Sequence, residues 1–115
     1  MVINMKPETI QDIFDVSQAF ASGKRLLLLF ILKNEPMGYT VITKYFERIG
    51  IPIGSSEVYK HIKQLINGGY ITKKSNAYVL TLKGLRAVEN TVDIINTPPT
   101  IPEVRLSFRE GKKSK

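Results

Sequence analysis

The chain has 115 residues, of which 43% are hydrophobic and 23% charged, a composition that predicts one folded domain with a modest core. It contains no cysteine and a single histidine, which excludes disulfides, thiolate nucleophiles, iron–sulfur clusters and zinc sites built on cysteine or on a histidine cluster, so we expect no metal and no cofactor. The net charge of +7 favours a polyanionic partner, although a basic protein can also simply be a soluble one.

The apolar runs of the chain are short. The longest, residues 26–32, cannot cross a bilayer whose hydrocarbon layer is about 30 Å thick. Residues 1–14 alternate polar with apolar side chains and lack the pattern of a secretory signal. These observations predict a cytoplasmic protein that does not contact a membrane.

The first two predicted elements are helices. Residues 7–20 place apolar side chains near a 3.6-residue period, with Pro7 suited to the first helical position and Glu8 favourable beside the N-terminal dipole. Residues 22–33 form a second helix capped by Ser22, and its stretch of residues 26–32 is apolar nearly all round. We expect the first helix to be amphipathic and the second to be the buried centre of the fold.

Two further helices follow, separated by a short turn. Residues 38–49 carry apolar side chains at helical spacing, and Gly50 can take the left-handed conformation that ends such a helix. A fourth helix is predicted at residues 56–67, with a serine as its cap. Its apolar side chains, Val58, Ile62 and Leu65, lie on one face of the helix. The polar side of the helix is displaced from that face and carries Glu57, Tyr59, Lys60, Lys63 and Gln64. We expect the apolar face to pack and the polar side to reach outwards.

A hairpin and a last helix complete the predicted fold. Residues 70–74 and 77–80 alternate as strands around Ser75-Asn76, a two-residue connection in which Asn76 tolerates a positive φ better than Ser75 does. From Thr81 a fifth helix carries an apolar stripe close to a coiled-coil seam, made of Leu82, Leu85, Val88, Val92 and Ile95. The prolines after residue 96 end this helix, and residues 97–115 are predicted to be a basic, mobile tail.

The order of these elements is that of a winged helix-turn-helix, a mostly α fold with a small β-hairpin wing. In this fold the second helix of a short pair enters the major groove of DNA. The charges agree, because residues 54–88 contain basic side chains against the single acid Glu57, whereas the first helix holds Glu8, Asp12 and Asp15. The basic residues are Lys60, Lys63, Lys73, Lys74, Lys83 and Arg86. We predict one DNA-binding domain at residues 1–96 whose N- and C-terminal helices serve dimerisation.

Several short motifs carry a family resemblance: Gly38-Tyr39, Gly54-Ser55-Ser56-Glu57-Val58-Tyr59, Gly69-Tyr70-Ile71 and Tyr78-Val79-Leu80-Thr81-Leu82-Lys83-Gly84. On these motifs residues 24–89 resemble PadR-type regulators, with ArsR-type and MarR-type relatives close. The resemblance implies a dimeric repressor or activator that binds an operator palindrome. In that family the C-terminal helix, and often the N-terminal one, forms the dimer contact.

The chain departs from its relatives in two respects. The wing is only a few residues long and lacks a Gly-Arg-rich tip, so we expect specificity to depend mainly on the helix in the major groove. The metal ligands of ArsR-type proteins are absent, because the chain has no cysteine and no histidine cluster. Metal sensing is therefore not part of the expected function.

The predicted DNA contacts lie on the outward side of the fourth helix and at the tip of the wing. They are Ser55, Ser56, Tyr59, Lys60, Lys63, Gln64, Lys73, Lys74 and Asn76. Lysine can hydrogen-bond guanine edges or phosphate, and tyrosine can touch a phosphate or a thymine methyl group. The serines either bind a phosphate at the helix N-terminus or only cap the helix. The wing lysines either contact the phosphate backbone or lie in solvent.

Dimerisation is predicted through the apolar stripes of the first and last helices. The residues are Ile13, Phe14, Leu85, Val88, Val92 and Ile95. The same stripes can instead pack within one chain, so the sequence leaves both arrangements open.

The remaining polar and aromatic residues are interpreted as structural. His61 is a packed or solvated residue in preference to a DNA contact or a pH-sensitive group, and Glu57 has a structural use. The aromatic residues Tyr39, Tyr45, Phe46 and Tyr70 are interpreted as core in preference to an effector pocket or a base-stacking platform.

Two functions remain after these observations. The first is a sequence-specific regulator that binds double-stranded DNA as a homodimer on an inverted repeat. The second is a winged-helix module that binds another protein in a transcription or segregation assembly, which the basic reading helix disfavours. The sequence shows no nucleophile–base pair, phosphate-binding glycine loop or metal-ligand cluster, so we expect no enzyme activity.

Overall fold

A computed structural model of the protein describes residues 5–101. Within this range the chain forms five α-helices and a two-stranded antiparallel sheet. Their order is α1 (Pro7–Ala19), α2 (Gly23–Asn34), α3 (Tyr39–Arg48), α4 (Ser55–Asn67), β1 (Ile71–Lys74), β2 (Ala77–Leu80) and α5 (Leu82–Ile95). The predicted winged helix-turn-helix is confirmed, with α3 and α4 as the helix pair and β1–β2 as the wing.

Helix α2 is the centre of the core, as its apolar run predicts. It begins at its cap Ser22, whose hydroxyl accepts a hydrogen bond from the Arg25 backbone amide at 3.4 Å. Leu28 and Leu29 are fully buried, and α2 contacts α4, α5 and β2. Because three elements pack on this one helix, it fixes their positions relative to one another.

The helix pair α3–α4 is joined by a turn in which Gly50 has the predicted left-handed conformation, with φ 79°. The predicted serine cap of α4 is wrong. Gly54 occupies the cap position without a side-chain hydrogen bond, and Ser55 is already the first helical residue. The physical reason is that α4 begins one residue earlier than expected, so the Gly54 carbonyl accepts the first helical hydrogen bond from the Val58 amide at 3.0 Å.

The wing pairs Ile71 with Leu80 and Lys74 with Ala77, which leaves Ser75-Asn76 as the predicted two-residue turn. Ser75, not Asn76, takes the positive φ, at 56°. A positive φ at the first central residue alone is the pattern of a type II′ hairpin turn, whereas type I′ requires it at both residues. Met37 forms an additional bridge to Tyr78, with backbone hydrogen bonds of 2.8 and 3.3 Å, which the sequence pattern did not indicate.

The Tyr-x-Leu-Thr-x-x-Gly motif forms the junction between the wing and α5. Thr81 caps α5 by accepting from the Gly84 amide at 3.1 Å, and its hydroxyl donates to the Gly69 carbonyl at 2.6 Å. Gly84 packs so closely on Tyr70 that an added Cβ would overlap the Tyr70 carbonyl oxygen. The threonine and the glycine of this motif are therefore required by the backbone packing of the fold.

Helix α1 packs on the rest of the protein only through its C-terminal end. Ala19 is its one buried residue, and Phe20, directly after it, places its ring 5.0 Å from that of Tyr70. The apolar residues further back, including Ile13 and Phe14, are exposed. Amphipathic α1 is confirmed, but among residues 5–101 nothing covers its apolar face.

Two predictions concern the ends of the chain and membranes. The basic tail is predicted from residue 97, and its part from residue 102 onwards lies outside the described residues.

Among the helices of residues 5–101, none combines the length and apolar character needed to span a bilayer.

Candidate nucleic-acid interface

Helix α4 has one buried and one exposed face. Val58, Ile62 and Leu65 are buried against the core, at no more than 1% exposure. Ser56, Tyr59, Lys60 and Lys63 are exposed on the opposite side, as predicted. Because the core holds the apolar face, the rotation of α4 is fixed, and these four side chains project from the protein. We call Ser56, Tyr59, Lys60 and Lys63 the outward face of α4.

Tyr59 and Lys63 are paired on this face. They are one helical turn apart, and the Lys63 Nζ lies 5.9 Å from the centroid of the Tyr59 ring. An exposed ammonium over an aromatic ring gains about 0.5–1 kcal/mol, which favours a common orientation without removing the charge from solvent. Tyr59 is 56% exposed. The pair therefore presents an aromatic surface and a cation together.

Gln64 borders the outward face without belonging to it. The side chain is half-buried and lines a cleft of about 420 Å³ together with Asp15 and Gln18 of α1. The structure therefore places this predicted DNA contact between α4 and α1, beside the lysines but partly covered.

The N-terminus of α4 is held in place by α3. The Tyr39 hydroxyl donates to the Ser55 carbonyl at 2.6 Å, which ties the first turn of α4 to the first turn of α3. Ser55 and Ser56 are exposed, and within residues 5–101 neither hydroxyl makes a capping bond. Of the two uses predicted for these serines, capping is excluded in this structure, and phosphate binding stays a prediction.

Glu57 is neutralised by a neighbouring cation. The Lys24 Nζ lies 3.3 Å from the Glu57 Oε2. The hydrogen bond from Lys24 lowers the pKa of Glu57 below its ordinary value, against an opposing effect of burial. The ion pair with Lys24 supports the structural use predicted for Glu57 and offsets its negative charge beside the outward face.

His61 and Arg25 form a buried polar pair behind α4. His61 is 4% exposed and Arg25 8%. The Arg25 Nε donates to the His61 Nδ1 at 3.1 Å, and burial lowers the pKa of His61. His61 is thus a packed residue, as interpreted, but the sequence analysis did not identify its partner. The sequence does contain an indication that Arg25 is buried, because it has the same helical spacing as Leu28, Leu29 and Leu32 on the buried face of α2.

The wing places its predicted contacts together at its tip. Lys73, Lys74 and Asn76 are all exposed around the Ser75-Asn76 turn. Lys73 Nζ lies 5.7 Å from the ring centroid of the buried Tyr78, so its stem packs on the wing. Lys83, by contrast, donates to the Gly68 carbonyl at 2.8 Å and lies over the Tyr70 ring. Lys83 therefore stabilises the junction of the fold.

The six residues predicted for dimerisation do not share one environment. Ile13, Phe14, Val92 and Ile95 are exposed and Leu85 is half-buried, so these five stay predictions. Val88 is 1% exposed inside the core of a single chain, because α5 packs it against α2. It has no surface to offer a partner. Ile94, which the sequence analysis missed, is the most exposed apolar residue of α5 at 74%.

The four aromatic residues interpreted as core do pack there. Phe46 and Tyr70 are buried, and Tyr39 and Tyr45 are half-buried against the same cluster. Tyr45 also lines an open groove of about 400 Å³ between α2, α3 and α5, together with Leu27, Phe30, Ile49 and Val92.

Solved structures share this architecture, although no known protein family matches the chain and no curated protein matches it. PadR from Bacillus subtilis is 22% identical over 78% of this chain and 54% of its own length, with a TM-score of 0.55. An ArsR-like transcriptional regulator from Rhodococcus sp. RHA1 is 16% identical over 94% of this chain and 98% of its own, with a TM-score of 0.61.

A further ArsR family transcriptional regulator is 24% identical over 81% of this chain and 92% of its own length, with a TM-score of 0.50. The chain spans about half the length of the PadR structure. At these identities the likeness concerns the fold, and it confirms that the chain has the winged helix-turn-helix fold of PadR and ArsR proteins.

Proposed function

We propose that this winged helix-turn-helix protein is a transcriptional regulator that binds double-stranded DNA, with the outward face of α4 in the major groove. The observation that carries the proposal is the exposed set Tyr59, Lys60 and Lys63 on the second helix of the pair, opposite a fully buried apolar face. An α-helix fits the major groove, and a helix fixed by the core presents its side chains there in a defined register. The similar solved structures are named as transcriptional regulators.

The roles of the contacts follow from their chemistry. Lys60 and Lys63 supply hydrogen bonds to guanine edges or to phosphates, and Tyr59 supplies a phosphate contact or an apolar contact to a thymine methyl group. Ser55 and Ser56 stand at the start of α4, where backbone amides favour a phosphate. Lys73 and Lys74 approach the DNA backbone from the wing and add affinity that does not depend on sequence. No covalent chemistry is part of this function.

The proposal includes a homodimer on an inverted repeat. Exposed apolar side chains on α1 and at the end of α5, Phe14 and Ile95 among them, support a contact between two chains. Two symmetric copies of α4 would then address half-sites separated by about one helical turn, roughly 34 Å. A short wing leaves the choice of site to α4 and to the dimer geometry.

The test is duplex binding as a function of salt, measured by fluorescence anisotropy with the wild type and the double variant Lys60→Ala/Lys63→Ala. We expect the wild type to lose affinity steeply with rising salt, and the variant to bind more weakly with a salt slope smaller by about one for each phosphate contact removed. The charge-matched control is Lys6→Ala/Lys33→Ala, which also removes two exposed positive charges but leaves α4 and the wing unchanged.

The outcomes separate the proposal from its alternative. Equal weakening by the α4 variant and by Lys6→Ala/Lys33→Ala would show that only net charge matters and would contradict a reading role for α4. No duplex binding at low salt, together with capture of a defined protein partner, would favour the protein-interaction module instead.

A further inference from the structure

A line of polar contacts runs from the end of α1 through the core to the inner face of α4. Arg25 is its centre. The Arg25 Nη1 donates to the Gln18 carbonyl in the last turn of α1 at 2.6 Å. Its Nε donates to the His61 Nδ1 at 3.1 Å. One buried guanidinium therefore joins the helix with the uncovered apolar face to the helix proposed to read DNA.

This geometry defines the protonation state of His61. A guanidinium has only donors, so the Nδ1 that faces it must carry a lone pair. The proton of the neutral ring is then on Nε2, which lies 3.4 Å from the Glu57 Oε2. Arg25 and Glu57 thus hold the neutral ring from both sides.

A second proton on His61 would break this arrangement. It would place an N–H on Nδ1 against the N–H of Arg25, which then loses its acceptor next to a like charge. The charged groups that face His61 are Arg25 and Lys24 from α2 and Glu57 from its own helix, while α1 contributes the neutral Gln18 carbonyl. Glu57 favours the charged ring, but it also binds Lys24 at 3.3 Å.

We propose that Arg25 and His61 are positioning residues that tie α1 to α4 while His61 is neutral, and that protonation of His61 releases this tie and weakens DNA binding. The inference rests on the proposed function for its DNA-binding readout. DNA affinity would then respond to pH through the position of α4, although neither Arg25 nor His61 contacts DNA.

The pH range of the response follows from the chemistry of the chain. Burial lowers the pKa of His61 from its ordinary value of 6.5, so release occurs below that pH. His61 is the single histidine among 115 residues. The pKa of Glu57 is lowered, which keeps this carboxyl ionised in the same range. A transition below pH 6.5 that is absent when His61 is replaced therefore belongs to His61.

The first experiment uses the free protein and does not depend on DNA. Labelling with ¹⁵N-histidine shows which ring nitrogen carries the proton at pH 7.5, and we expect Nε2. On acidification, the backbone amide signals near Gln18 in α1 and near His61 in α4 should shift with one common midpoint. A ring protonated on Nδ1, or α1 signals that do not follow the His61 titration, would overturn the proposed tie.

The second experiment compares duplex affinity at pH 7.5 and 5.5, at constant ionic strength, for the wild type and His61→Asn. The asparagine Oδ1 replaces Nδ1 as an acceptor for Arg25 but does not titrate in this range. We expect the wild type to bind more weakly at pH 5.5 than at pH 7.5, because a proton on Nδ1 removes the acceptor that Arg25 uses and places a second positive charge beside it. The variant should bind equally at both values.

The combined outcomes keep the two proposals separable. The same loss of affinity in wild type and His61→Asn would overturn the pH response while leaving DNA binding intact. If the wild type binds no duplex at either pH, the proposed function is wrong, and the common midpoint in the free protein still decides whether the tie exists.

Discussion

Helices α1 and α4 each have 13 residues and an amphipathic sequence, yet their apolar faces lie in opposite environments. The apolar face of α4 is buried in the core, and its exposed side is basic. The apolar face of α1 is open, with Phe14 61% exposed, and its polar side carries Glu8, Asp12 and Asp15. The described part of the chain therefore leaves a basic surface exposed on α4 and an apolar surface exposed on α1.

The largest effect on stability is expected from a substitution that disrupts the packing that holds α4 and the wing in place. Gly84→Ala would push a methyl group into the Tyr70 carbonyl, a backbone atom that has little room to move. We expect the free energy of unfolding to fall by about 3 kcal/mol or more, at the upper end for an overpacked site. Urea denaturation followed by circular dichroism measures it.

Gly23→Ala is the matched control for this substitution. Gly23 lies in the first turn of α2, and a Cβ there meets no atom within 4 Å. We expect a change within about 0.5 kcal/mol, in the stabilising direction, because alanine is the better helix former. Equal effects of the two substitutions would show that the close approach at Gly84 does not matter.

A smaller effect, on self-association, is expected for a substitution on the exposed apolar face of α1. Phe14→Ser should leave the unfolding of a single chain nearly unchanged, because the ring packs on little of its own protein. Self-association should weaken about tenfold, since a buried phenylalanine contributes about 1.5–3 kcal/mol. Sedimentation velocity over a concentration series measures the association.

Val41→Ser serves as the control for Phe14→Ser. Val41 is also an exposed apolar residue, at 51%, but it lies on α3, outside the predicted dimer surface. A monomer for the wild type at all micromolar concentrations would remove α1 from any dimer interface.

The smallest effect concerns the stability of the buried pair behind α4. Burial lowers the pKa of His61 in the folded protein, so the unfolded chain binds a proton more readily. The contribution of His61 to stability is therefore complete above pH 6.5, its ordinary pKa, and is lost as the pH falls below it. Urea unfolding at pH 7.5 and 5.5 should show a larger decrease for the wild type than for His61→Asn.

Local patterns predicted most of the fold. The helical periods, the Ser22 cap and the left-handed Gly50 depend on neighbouring residues, which is why the sequence indicated them. The misplaced serine cap of α4 is a helix boundary that differs by one residue. The misassigned dimer residue, in contrast, depends on the whole fold. Val88 belongs to the stripe of α5 by spacing alone, and only the position of α2 decides that it is buried.

The candidate site could be predicted in part for the same reason. The outward face of α4 follows from its helical period, so Tyr59, Lys60 and Lys63 were identified together. The contact between Arg25 and His61 joins residues that are 36 positions apart, and only the packing of α2 on α4 brings them together. Each residue lies on the apolar stripe of its helix. A charged or titratable residue at such a position in a sequence therefore indicates a buried polar contact.

The central claim is that two copies of α4 read DNA together, and selection of bound duplexes from a random pool tests it most directly. The account predicts enrichment of an inverted repeat with half-sites about one helical turn, roughly 34 Å, apart. The Lys60→Ala/Lys63→Ala variant should lose that enrichment. A pool that stays random with the wild type, or a single unpaired site bound equally well by the variant, would contradict the account.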